Sequence, residues 1–171
     1  MDQTRRLTTA TLLVIRIGIA LNALFLAAVV IGLTASALMG QRFTILLLGA
    51  GIDLAERTAG MRLLLLVGLV MALATFVLLR ALRDIVASVR SGTPFVAANA
   101  GRLHRVGWAL LALQLLDLPC ALIARGYPSL GDAAPAGGVS LGGWMAVLMV
   151  FVLARVFAAG TVMHDELEGT V

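Results

Sequence analysis

Four apolar runs, each long enough to cross a lipid bilayer, constrain this chain more than any other feature of it. They fall at about 15–39, 62–82, 106–124 and 139–160. The hydrocarbon core of a bilayer is ~30 Å thick and takes about 20 helical residues to span. Each run therefore reads as one transmembrane helix. The rest of the composition agrees. The chain is 61% hydrophobic and 13% charged, with a mean hydropathy of +1.04. A soluble domain carries about 25% charged residues, and a fold of this size has no interior large enough to hide the excess apolar surface. The expected fold is a single all-α domain over 1–171, an integral membrane four-helix bundle.

The first run follows Arg5 and Arg6 and contains an Ala35-Ser36-Ala37 pattern, features shared with cleaved leaders. A leader's apolar stretch is only about 7–15 residues, so the run is read as the first span. Orientation follows the arginines, which account for all thirteen basic residues. Arg5, Arg6, Arg16, Arg80, Arg83, Arg90, Arg102, Arg105 and Arg155 fall on one side, and Arg42, Arg57, Arg62 and Arg125 on the other. The arginine-rich side is expected to be cytoplasmic, which places both termini inside. Trp108, Trp144 and Tyr127 lie at the depths where interfacial aromatic belts form. The outer segment 40–61 carries its own apolar patch at 43–48 and reads equally as a strand pair or an interfacial helix. Small residues such as Gly32 and Ser36, or Gly68 and Ala72, suit close helix contacts, within the chain or in a homo-oligomer.

Between the second and third spans, the spacing of Ile85, Val86 and Val89 against Arg83 and Arg90 is helical. The second helix is expected to continue past the membrane, to stop at Ser91-Gly92, and to be followed by a Thr93-Pro94 helix start. The result is a cytoplasmic helical hairpin over 80–105. Its five arginines outweigh Asp84. The plain account of that charge is the orientation signal meeting anionic lipid. The sharper account is a docking surface for a soluble partner, carried by Arg83, Arg90, Pro94, Phe95, Asn99 and Arg102. Direct nucleic-acid binding is not expected, because no recognition motif with base-reading side chains is present.

The stretches GTPFVAANAGRLHRVGW and ARVFAAGTVMHDELEGTV resemble a bacterial four-helix membrane family catalogued as domain of unknown function 2975. The matching residues are Gly92, Pro94, Phe95, Asn99, Arg102, Leu103 and Gly107 in the hairpin. In the C-terminal stretch they are Phe157 and Gly160 and, in the acidic tail 163–171, Asp165, Glu166, Glu168, Thr170 and Val171, while Gly169 stands where the family has a larger apolar residue. The resemblance implies a bacterial inner (plasma) membrane protein. Genes of the family often lie beside one for a small helix-turn-helix DNA-binding protein. The implied role is therefore a regulatory partner or anchor for such a protein, with no cofactor.

Enzymatic chemistry finds no support. The chain has no lysine for a phosphate loop, and no paired Cys or His motif for a metal. His164, Asp165 and Glu166 are adjacent, and helix neighbours point in different directions. The polar residues inside the spans are Asn22, Gln114 and Asp117, with Arg16 and Arg155 nearer the arginine-rich side. Counted at ~1.5 Å per residue from Val106, Asp117 falls near the membrane midplane. A carboxylate facing lipid there costs several kcal/mol, so Asp117 is expected to face the bundle with Asn22 as its hydrogen-bond partner. It would then hold helices together. The alternative is a small proton-coupled transporter using Asp117, for which a single acid without a second ionisable group makes a poor relay.

Overall fold

The computed structural model describes residues 2–51, 53–91, 96–135, 138 and 140–168, with side-chain environments from residue 8 to residue 161. The chain forms α1 (Asp2–Met39), α2 (Gln41–Leu48), α3 (Leu54–Arg90), α4 (Ala97–Gly126), a 3-10 segment (Pro128–Ala133) and α5 (Leu141–Glu168). Among the described residues there is no strand. Helices α1, α3, α4 and α5 are each long and apolar enough to cross a membrane. The protein is an all-α membrane bundle of four spans.

The helices run past the apolar stretches that announce them. Helix α1 begins at Asp2, α3 nine residues before Leu63, and α5 continues through the acidic stretch to Glu168. No proline interrupts those extensions, and a helix continues until something stops it. Pro119 lies inside α4 without ending it. Helices in a membrane tolerate such a proline because neighbouring groups take up the freed carbonyl.

The four spans pack in chain order: α1 on α3, α3 on α4, and α4 on α5. The bundle is thus an open row, with α5 at the far edge from α1. Small residues set the α1–α3 contact. Leu65 lies 3.3 Å from where a Cβ on Gly32 would be, and Val29 lies 3.6 Å from the same position on Gly68. Ala72 and Ser36 are both buried in this seam. With no apolar driving force between helices in lipid, such close backbone approach supplies the packing.

The outer segment proves to be helical. Helix α2 lies against α1 and α3, flanked by Gly40 and Gly49 in positive-φ conformations that reverse the chain at little cost. Thr44, fully buried on α2, bonds the Thr58 hydroxyl of α3 at 2.8 Å. Beside it, Met61, Ile123 and Leu130 form a buried apolar cluster, packed by Phe43, Leu48 and Tyr127. This end of the molecule is a compact cap; the other end is the hairpin.

Candidate docking face and intramembrane polar groups

Antiparallel packing fixes which residues share a level. Along α1–α3, Gly18 faces Leu79 and Ser36 receives Arg62. Along α3–α4, Ser88 meets Asn99 and Gly60 meets Tyr127. Along α4–α5, Gly107 faces Phe151 and Gly143 faces Gln114. Extending these registers brings Arg16, Arg83, Arg105 and Arg155 to one level, and Arg62 and Arg125 to another. Arg16 to Ser36, and Arg105 to Arg125, are each about twenty residues, or ~30 Å at ~1.5 Å per residue. That matches the ~30 Å hydrocarbon thickness. Two arginine levels bracket an apolar slab, and long side chains at such ends reach the headgroups.

The hairpin rises beyond the first level. Helix α3 runs on to Arg90, and α4 begins at Ala97 with Val96 at its cap and no side-chain cap bond. The described start of α4 is therefore later than the Thr93-Pro94 pair suggested. Thr93, Pro94 and Phe95 lie outside the described residues, so the docking role assigned to Pro94 and Phe95 is untouched by the structure.

Asn99 departs from its expected place on an exposed face. It is fully buried and clamps the hairpin. Its Nδ2 donates to the Ser88 hydroxyl at 2.6 Å, and its Oδ1 accepts from Arg102 Nη1 at 2.7 Å. The Ser88 hydroxyl in turn donates to the Ile85 carbonyl at 2.7 Å. Helix α3 is thereby tied to α4 through side chains, and half-buried Arg102 belongs to the clamp. A polar residue in a hairpin reads as surface by composition; the signal for a clamp lay in the serine–asparagine pairing across the turn. Of the remaining docking candidates, Arg83 pairs with its neighbour Asp84 at 3.0 Å. Arg90 is exposed, as are Arg80 and Arg105. Arg80 stacks over Phe76 with 5.9 Å to the ring centroid.

The intramembrane residues do not converge. Asn22 is buried, but it donates to the Ala72 carbonyl at 3.0 Å, not to Asp117. It joins α1 to α3, whereas Asp117 lies on α4. The expected Asn22–Asp117 bond is thus replaced by a bond to backbone, because the row order keeps α1 beside α3. Gln114 reaches the Ser140 carbonyl at 3.3 Å, supplying a donor where the chain enters α5. One turn farther on, Asp117 comes level with the segment leading into α5, ~18 Å past Arg105 at ~1.5 Å per residue and so near the middle of the slab, as the count suggested. It is half-buried, and among the described residues it makes no hydrogen bond or ion pair. Among the described residues, then, no bond from Asp117 joins α4 to another helix. Arg16 is exposed at the edge of the α1–α3 seam, and Arg155 lines a shallow groove between α4 and α5 with His104, Arg105 and Trp108. Among the described residues no group of His, Cys, Asp or Glu is placed to hold a metal ion.

An unexpected polar pair sits at the opposite level. Arg62 Nε donates to the Ser36 hydroxyl at 2.8 Å and its Nη2 to the Ser36 carbonyl at 2.6 Å. Nearby, Glu56 accepts from the Ser129 hydroxyl at 2.9 Å, joining the start of α3 to the 3-10 segment.

Neither a curated protein nor a solved structure matches the chain. The family described as "Protein of unknown function (DUF2975)" matches residues 47–171, a stretch from the end of α2 through α5. With the hairpin and three of the four spans inside that stretch, the chain belongs to the DUF2975 family.

Proposed function

We propose that the protein is a membrane-bound, non-enzymatic interaction partner that holds or controls a small cytosolic helix-turn-helix DNA-binding protein. The supporting observation is the clamped pair of helices α3 and α4, with Arg90 exposed beyond the arginine level and Arg80 and Arg105 exposed at it. A surface held this way loses little conformational freedom on binding, which favours recognition by a preorganised face. The partner's type follows from the family resemblance, and its docking face should be acidic to complement the hairpin. In this reading the membrane is the bacterial plasma membrane, both termini are cytoplasmic, and the hairpin faces the cytosol with them.

The test is a pull-down from native membranes with the full chain. Wild type is compared with a variant carrying Arg80→Glu, Arg90→Glu and Arg105→Glu, which spares the Asn99 clamp and the Arg83–Asp84 pair. A small helix-turn-helix protein should come down with the first and be lost with the second. Recovery of no such protein with wild type, together with proton-coupled uptake in vesicles that Asp117→Asn abolishes, would overturn the proposal in favour of transport.

A further inference from the structure

At the first arginine level, α1 and α3 part and leave a cleft of about 570 Å³. Leu12 and Ala87 line its apolar part, and Arg16, Arg83, Asp84 and Arg90 its polar part. Three arginines from two helices thus line the cleft with one carboxylate. That carboxylate is already engaged by Arg83 at 3.0 Å. Among the described residues Arg16 and Arg90 have neither a hydrogen bond nor an ion pair. The cleft keeps an uncompensated positive charge, and both of these side chains are exposed to whatever enters it.

We propose that this cleft binds a phosphate ester, with Arg16 and Arg90 as its forked donors and Arg83 as a third, shared with Asp84. Planar guanidinium groups match phosphate oxygens two at a time, which makes arginine suited to this anion. The depth is right for a phospholipid headgroup. Arg16 lies about twenty residues, or ~30 Å, from the opposite level at Ser36, so the cleft mouth opens where hydrocarbon gives way to headgroups. The arginines would meet the phosphate, with Leu12 and Ala87, one turn outward of Arg16 and Arg83, as the apolar wall between them. Basic pockets between transmembrane helices recognise anionic lipids by this combination. A soluble phosphate ester offers the same anion without the acyl chains.

The inference stands apart from the docking proposal and is tested without a soluble protein. The full chain, purified in a neutral detergent, is titrated with phosphatidylglycerol or phosphatidylcholine, and retained lipid is counted by native mass spectrometry. Phosphatidylglycerol should be retained over phosphatidylcholine. The Arg16→Gln, Arg90→Gln variant should weaken retention at least about tenfold, a loss of ~1.4 kcal/mol. Arg80→Gln removes a charge at the same level outside the cleft and should leave retention within about twofold of wild type. Glycerol 3-phosphate separates the two sources: competition at micromolar concentration marks a soluble ester as the occupant, and failure to compete marks the lipid. Folding is checked by protection of buried Cys120 from a thiol reagent. If the double variant loses that protection, Arg90→Gln alone carries the test, since its exposed side chain holds nothing in place. Equal retention by wild type and the cleft variants, or equal loss in Arg80→Gln, would overturn the proposal.

Discussion

Replacing Asn99 with alanine should destabilise the protein more than any exposed substitution in the hairpin. Asn99 is fully buried, and its bonds include one from its Nδ2 to Ser88 at 2.6 Å and one from Arg102 to its Oδ1 at 2.7 Å. A neutral bond contributes about 1 kcal/mol net, and a charge-assisted one about 1.5–3 kcal/mol. Arg102 is only half-buried and regains water when released, so the low end applies to it, and the loss totals roughly 2.5 kcal/mol. At about 2–4 °C per kcal/mol for a chain of this size, the melting temperature should fall by roughly 5–10 °C. The chain's one cysteine, Cys120, is buried in α4 and provides the assay. A fluorogenic thiol reagent becomes bright when thermal unfolding exposes it, in detergent and without an added label. Arg80→Gln, which removes an exposed charge from the same end, sets the baseline at within about ±0.5 kcal/mol. A fall no larger than that of Arg80→Gln would refute the clamp.

Three further outcomes are expected. A Cβ on Gly60 would lie 2.9 Å from both Tyr127 and Leu130, so Gly60→Ala should cost about 1–3 kcal/mol by overpacking and lower the same thermal midpoint; an unchanged midpoint would contradict that close approach. Asp117→Asn should leave the protein folded and its midpoint within about 2 °C of wild type, and a larger loss would mean the carboxylate contributes to holding the fold. Reporter fusions after Ser91 and after Gly131 should report cytoplasm for the first and exterior for the second, and an exterior signal at Ser91 would reverse the proposed orientation.

The spans were legible because a transmembrane helix writes its length into composition, and no other segment of a 171-residue chain competes with such runs. Which spans touch was not legible. Lipid is as apolar as a helix interface, so Leu21 and Leu24, exposed on α1, look no different in sequence from residues packed in a seam. That is why Asn22 was matched to Asp117 as a neutral polar residue on another helix, while the row order gave it to Ala72. Helix α2 was undecidable for a different reason. Its eight residues, QRFTILLL, make barely two turns, too few for a helical period to separate from an apolar strand. Asn99 was assigned to a docking surface, but its burial depends on Ser88 arriving from the preceding helix, and sequence spacing does not carry that convergence.

The arginine-rich end owes its form to how each helix interface terminates there. The α3–α4 interface is closed by the buried Asn99, so these two helices continue together past the slab. The interfaces on either side end open. Between α4 and α5, Ala100, Gly101, Ala154 and Ala158 form a shallow floor with Arg105 and Arg155 at its rims. His104 and Trp108 wall it, and they make edge-on ring contacts with each other and with Phe151 at 5.3–6.3 Å between centroids. Between α1 and α3 the cleft with Arg16 and Arg90 opens at the same level. A closed interface between two open ones fixes the separation of the two basic clefts, because α3 contributes to one, α4 to the other, and the clamp joins α3 to α4. Charge at this end is therefore presented at set positions. The exposed arginines of a loosely joined hairpin would be free to spread apart by mutual repulsion; here the bonds through Asn99 oppose that spreading.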